Sequence, residues 1–116
     1  MNLGAALPYV VIAAVVAALL ASRFMGKASA ADARALVAEG ALLLDVRSTG
    51  EFASGHIDGA VNIPVDQLAR RIGDVGAKER PVVVYCRSGA RSGQAAGILR
   101  GAGFARVEDL GAMHRW

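Results

Sequence analysis

The chain has 116 residues, thirteen Lys plus Arg against ten Asp plus Glu, 54% hydrophobic residues and one cysteine, so once its apolar N-terminal segment is set aside it holds one small domain. Arg23 and Lys27 flank that segment, leaving eleven basic against ten acidic side chains in residues 31–116, a near-neutral balance that implies no nucleic-acid surface. A single cysteine excludes an internal disulfide and a cysteine-clustered zinc site, and His56 and His114 are too few to suggest another metal.

Residues 1–22 carry no charged side chain, and Leu3 to Ala21 is continuous apolar and small sequence, about the length of a bilayer-spanning helix. Pro8 falls near the first turn, where a missing N–H costs little, and Tyr9 suits a headgroup interface. A cleaved signal peptide competes, because Ala28-Ser29-Ala30 resembles a cleavage site, yet no Lys or Arg precedes the apolar run. A buried core helix also competes, but it would be apolar on every face, more than residues 31–116 can cover. The expectation is one transmembrane helix over 1–22, a linker over 23–30 and a folded domain over 31–116. Arg23 and Lys27 follow the span, so the positive-inside rule sets the chain in the inner, cytoplasmic membrane as a single-pass protein with its domain in the cytoplasm.

The segment from Ala31 to Glu39 reads as a helix closed at Gly40. Ala41 to Val46 is a short apolar run ending in Asp45 and Arg47, as expected of a strand buried on both faces. Ser48 and Glu51 have the spacing of a capping box and start a short helix. A brief strand around Ala60 to Asn62 is stopped by Pro64, and Asp66 is a candidate cap for a helix reaching about Ile72. After the turn-rich Gly73 to Arg80 comes the clearest strand, Val82 to Cys86, rich in β-branched and aromatic residues. A helix containing Gln94 to Leu99 ends at Gly101 or Gly103, and Phe104 to Leu110 supplies the last strand. Strands alternating with helices predict an α/β domain with a mainly parallel central sheet flanked by helices.

Cys86 falls at the carboxyl end of that clearest strand, where open α/β sheets bind ligands. Arg87-Ser88-Gly89-Ala90-Arg91 must turn sharply into a helix, which points several backbone N–H groups into one concavity. A thiol there is held as thiolate, the reactive form. A lone cysteine after a buried strand is more often a small core hydrophobe. Arg87 and Arg91 shift the balance, being useful around a thiolate or an oxyanion and unfavourable beside an inert core thiol.

Three stretches, "LLLDVRSTGEFASGHIDGAVNIP", "VVVYCRSGARSGQAAGILRGAGF" and "VEDLGAMHRW", resemble in order and spacing the single-domain rhodanese (thiosulfate sulfurtransferase) family over residues 31–116. The resemblance implies a rhodanese-like fold and a cysteine that takes the outer sulfur of a donor such as thiosulfate as a persulfide, then passes it to cyanide or another thiophilic acceptor. Cys86 becomes the nucleophile by this resemblance. The amides from Arg87 through Ser88, Gly89, Ala90 and Arg91 to Ser92 stabilise its charge, and Arg91, with Arg87 as second candidate, holds the donor's sulfonate. Asp45 and Arg47 take supporting, mainly structural roles, His56 is a hydrogen-bonding turn residue, and Trp116 packs on the sheet. The chemistry needs no metal or organic cofactor. Its partners are a small-molecule sulfur donor and acceptor, the membrane through the N-terminal helix, and a possible protein acceptor.

The chain departs from the family where Gly111-Ala112-Met113 replaces the usual Gly-Gly before the terminal Met, which leaves acceptor specificity open. Related phosphatases use Cys-x5-Arg, whereas Cys86 to Arg91 is Cys-x4-Arg, one residue short for a phosphoryl group. The alternative to an enzyme is a membrane-tethered persulfide relay or binding module with little thiosulfate turnover.

Overall fold

Leu42–Asp45 and Val82–Cys86 are buried along their whole length and occupy the centre of a parallel sheet, as strands covered on two faces must. The computed structural model describes residues 11–13 and 27–116. Of the span expected over 1–22, all but residues 11–13 lies outside the described residues, as does the linker before Lys27. Among the described residues no helix is long and apolar enough to cross a membrane.

The order of elements is α1 (Ala30–Ala38), β1 (Leu42–Asp45), α2 (Thr49–Ala53), β2 (Val61–Asn62), α3 (Val65–Leu68), a 3-10 turn (Ala69–Arg71), α4 (Ile72–Val75), β3 (Val82–Cys86), α5 (Ala90–Gly101), β4 (Val107–Ala112) and a second 3-10 turn (Met113–Arg115). All strand pairs are parallel, in the order β2-β1-β3-β4. Side chains alternate across this sheet and split the core in two. Leu42, Leu44, Val82, Val84 and Cys86 face one layer with Ile63, Leu68, Ala95, Ala96 and Leu99. Leu43, Val83 and Tyr85 face the other with Ala33, Leu36 and Leu110, where Trp116 also packs, as expected of a large apolar residue. Each fully buried Leu or Val contributes about 1.5–3 kcal/mol, so the two layers, more than helix propensity, hold these short elements in place.

Several boundaries differ from the sequence reading. The domain begins before residue 31: Ser29 caps α1 by accepting the Asp32 amide at 3.1 Å, and the Ala28 amide donates to the Asp109 carbonyl at 2.8 Å. Ala60 is not in β2, because its amide closes a turn onto the Ile57 carbonyl. Asp66 is not the cap of α3. Pro64 occupies that position without a side-chain hydrogen bond, and Asp66 lies within the first turn. The last strand runs past Leu110 to Ala112 through a bulge, where Val84 pairs with Asp109 and Tyr85 with Gly111, leaving Leu110 as the extra residue.

Candidate active site

Between the end of β3 and the start of α5 the chain has three residues, Arg87, Ser88 and Gly89, in which to reverse direction. Gly89 makes this possible at φ +108°, a conformation unfavourable to any residue with a Cβ, and serves as the N-cap of α5. The turn aims the Gly89 N–H back at Cys86, 2.9 Å from Sγ. The sulfur is fully buried. Burial, the largest single influence, pushes the thiol up. The Ser92 hydroxyl and the amides of Ser92, Gly89 and Ser88 together outweigh it and hold the thiol below its ordinary value. An inert core thiol would feel only the first of these effects. Ser92, buried in the first turn of α5, donates its hydroxyl hydrogen to the Gly89 carbonyl at 3.0 Å and lies beside the sulfur as well.

The cations around this loop are mostly committed. Arg91, expected to hold a donor's sulfonate, instead makes a two-pronged pair with Glu51 at 2.6 and 3.0 Å. This pairing has a local cause. Ser48 and Glu51 form the anticipated capping box of α2, which fixes the carboxylate where Arg91 can reach it. The Arg91 guanidinium, followed by the Ser48 amide, pushes the Glu51 carboxyl down to about 2. Arg47 pairs with the buried Asp45 at 2.7 Å, donates to the Gly55 carbonyl at 2.7 Å and lies 5.9 Å from the centroid of the Tyr85 ring. Asp45 raises the Arg47 guanidinium, while burial pushes the Tyr85 phenol up. This pair fastens the segment at Gly55 to the sheet. Lys27 pairs with Asp109 at 2.7 Å. Arg87 is exposed, and none of the ion pairs among the described residues includes it. Among the described residues Arg87 is thus the loop cation that stands outside an ion pair, while Arg91 is paired and part-exposed.

The structure brings Cys86, Ser88, Gly89 and Ser92 together, with Arg87 and Ala90 on the exposed rim. His56 sits apart, its Nδ1 2.9 Å from the Phe52 carbonyl and its ring stacked on Phe52 at 3.6 Å, in the turn role read from the sequence. Glu51, Lys27 and Asp109 were not singled out as site residues. Glu51 announced itself only as a cap, and nothing in spacing shows a partner forty positions away. A cleft of about 340 Å³ opens beside Arg91, lined also by Val46, Ser48, Thr49, Pro64 and Gln67. A larger groove of about 550 Å³ lies between α1 and β4 and includes no residue of the sulfur loop, so size does not identify the site here.

The parallel sheet that carries this thiol, with helices on its faces, has clear counterparts. Residues 29–116 match the Rhodanese-like domain family. The chain belongs to this family. The rhodanese-like domain is 42% identical over 79 residues to a protein of Allochromatium vinosum named sulfurtransferase, covering 67% of this chain and 73% of that one. It is 39% identical over 71 residues to thiosulfate sulfurtransferase PspE of Escherichia coli, covering 60% and 68%. The uncharacterized protein YqhL of Bacillus subtilis is 43% identical over 77 residues, 66% of this chain, and the matched stretch spans 60% of YqhL. Among solved structures, the human single-domain sulfurtransferase TSTD1 superposes with a TM-score of 0.71 at 32% identity, covering 78% of this chain and 94% of that chain.

Proposed function

We propose that this rhodanese-like domain is a sulfurtransferase working through a Cys86 persulfide. The observation that carries the reading is the Gly89 N–H on Cys86 Sγ at 2.9 Å, in a loop whose amides and Ser92 pull the thiol below its ordinary value. The Cys86 thiolate attacks the outer sulfur of thiosulfate. A sulfur–sulfur bond forms to Cys86 as the sulfur–sulfur bond of the donor breaks, and sulfite leaves with that electron pair. Cyanide or another thiophile then takes the terminal sulfur, and the electrons of the persulfide bond return to Cys86 as thiolate. Neither step is assigned a general base, because the thiolate itself is the nucleophile and the loop holds the thiol below its ordinary value. The loop amides stabilise the charge on Cys86 or on its persulfide, and Arg87 meets the donor's anionic end.

The Glu51–Arg91 pair favours a second reading, a relay loaded by a partner protein, because it removes one of the two loop cations from thiosulfate binding. Steady-state kinetics of the full chain with thiosulfate and cyanide separate the two. A transferase gives parallel double-reciprocal plots, the signature of two displacements through one enzyme form. Arg87→Ala then raises the KM for thiosulfate by about tenfold, the loss of one charge-assisted contact, with a smaller change in kcat. A relay takes up sulfur but turns over slowly with cyanide, and a KM unmoved in Arg87→Ala removes Arg87 from donor binding.

We also propose that residues 1–22 tether the domain to the inner membrane with Cys86 on the cytoplasmic side, supported by the uncharged apolar run and by Arg23 and Lys27 after it. Cys86 itself is too buried to report on this. A cysteine placed at the exposed Glu79, in a Cys86→Ser background, is expected to fractionate with membranes and to resist an impermeant thiol reagent until the cells are opened. Labelling of intact cells would reverse the orientation, and recovery in the soluble fraction would remove the anchor.

A further inference from the structure

Three donors converge on one carbonyl at the start of α5. The Gly89 oxygen accepts the Gly93 amide at 3.1 Å, the Ser92 hydroxyl at 3.0 Å and the Lys27 ammonium at 3.3 Å. A carbonyl offers two lone pairs, so three donors crowd it. The Gly93 amide belongs to the helix and has nowhere else to go. Ser92 does have an alternative, the Cys86 sulfur beside it.

Lys27 reaches this carbonyl from a seat built for it. Its ammonium lies 2.7 Å from Asp109 Oδ2, and the buried Asp109 is itself oriented by the Gly111 amide, which donates to Oδ1 at 2.9 Å. The bulge at Leu110 sets that arrangement. Gly111 adopts φ +85°, and a Cβ there would come within 3.1 Å of the Lys27 stem. A Cβ on Gly89 would come within 3.4 Å of the ammonium, so the lysine passes over two glycines that leave it room. Arg115 and the Asp109 carbonyl hold the neighbouring Ala28 from both sides of its peptide.

We propose that Lys27 is a positioning residue for the sulfur loop: its ammonium keeps the Gly89 carbonyl satisfied, which frees the Ser92 hydroxyl to turn onto the sulfur when Cys86 is ionised or carries a persulfide. With Lys27 present the hydroxyl gives up a bond to an already crowded oxygen. Without Lys27 it gives up that oxygen's second hydrogen bond, and it stays where it is. The proposal rests on the reading of Cys86 as a working thiolate. The other charged groups around the loop, Arg87 within it, Arg91 with Glu51, Arg47 with Asp45, and Arg115, are unchanged in the variants that test it; Asp109 alone loses its counter-charge in Lys27→Met and Lys27→Gln, and the double variant with Ser92→Ala reads that charge effect separately.

Cys86 is the only cysteine, so its thiolate absorbance can be titrated in the full chain against a Cys86→Ser blank. Lys27→Met is expected to move the midpoint up by about 0.5–1 pH unit, the effect of one hydrogen bond to the thiolate. Lys27→Arg restores most of the shift and Lys27→Gln, a neutral donor, falls between. Ser92→Ala moves the midpoint the same way, and adding Lys27→Met to Ser92→Ala moves it no further. An unmoved midpoint in Lys27→Met overturns the proposal, as does a full additional shift in the double variant, since Lys27 would then act by charge alone and not through Ser92. Uptake of sulfur from thiosulfate by the unaltered chain, read by intact mass, tests the sulfurtransferase reading separately. A midpoint shift without uptake keeps the role of Lys27 and removes the reaction.

Discussion

Cys86→Ser is expected to lower thiosulfate:cyanide turnover by roughly a thousandfold or more while leaving the fold intact. The reasoning starts from what surrounds the sulfur. Cys86 lies fully buried beneath α5, and its Sγ accepts the Gly89 N–H. A serine oxygen is smaller and accepts that hydrogen bond at least as well, so the loop keeps its shape. It cannot keep the chemistry, because a serine hydroxyl has no comparable anionic form at neutral pH and no neighbouring base supplies one. After thiosulfate the unaltered chain gains the mass of one sulfur atom and loses it to cyanide; the serine variant gains nothing. The pH dependence follows from the direction of the thiol's displacement. Because the folded thiol lies below its ordinary value, the thiolate and the loading rate persist at pH values where a free cysteine is protonated, and both decline as pH falls through the folded value. The same sign applies to stability: the contribution of this ionisation is present above the unfolded thiol's pKa and is lost as pH falls through the folded one. Turnover surviving in Cys86→Ser, or a loading rate that rises only in the range of an ordinary thiol, would sink the thiolate argument.

Much of this site is legible in the sequence, and the reasons are physical. The central strands announced themselves because β1 and β3 are buried on both faces and are therefore largely apolar, with Asp45 closing β1 as the exception that Arg47 neutralises. Gly89 marked the turn because the reversal into α5 requires positive φ, and the Ser48–Glu51 spacing marked a cap that the structure contains. Pairings across the fold were not legible. Arg91 and Glu51 are forty positions apart and Lys27 and Asp109 eighty-two, and each pair meets only because the sheet order brings their elements together. For the same reason nothing in the sequence showed that Arg91 is paired while Arg87 stands outside the ion pairs among the described residues. The linker before α1 was misjudged for a related reason: small polar residues read as a connection, yet Ser29 is a cap and Lys27 inserts its side chain between two glycines.

The largest effect on stability is expected from Asp45→Ala, and the double variant that follows it is the sharper test. Asp45 is fully buried and accepts the Arg47 amide at 2.9 Å, Nε at 3.1 Å on each oxygen and Nη2 at 2.7 Å. Removing the carboxylate leaves a guanidinium with 7% of its side chain exposed, no counter-charge and one remaining acceptor, the Gly55 carbonyl. Breaking a buried pair in this way costs about 3–5 kcal/mol, a large share of the ~5–15 kcal/mol that holds a small domain together. The loss also reaches the loop before β2, where the Tyr85 hydroxyl accepts the Ile57 amide at 3.2 Å beside the tie from Arg47 to Gly55. Removing both charges should recover much of the loss, because an apolar side chain in place of Arg47 has no desolvation penalty to offset. Urea denaturation of the full chain is therefore expected to rank Asp45→Ala below Asp45→Ala with Arg47→Met. If the double variant were less stable than the single one by the full effect of Arg47→Met alone, the pair would contribute by packing at two independent sites, and its role as a charge-matched tie between the sheet and the Gly55 loop would be withdrawn.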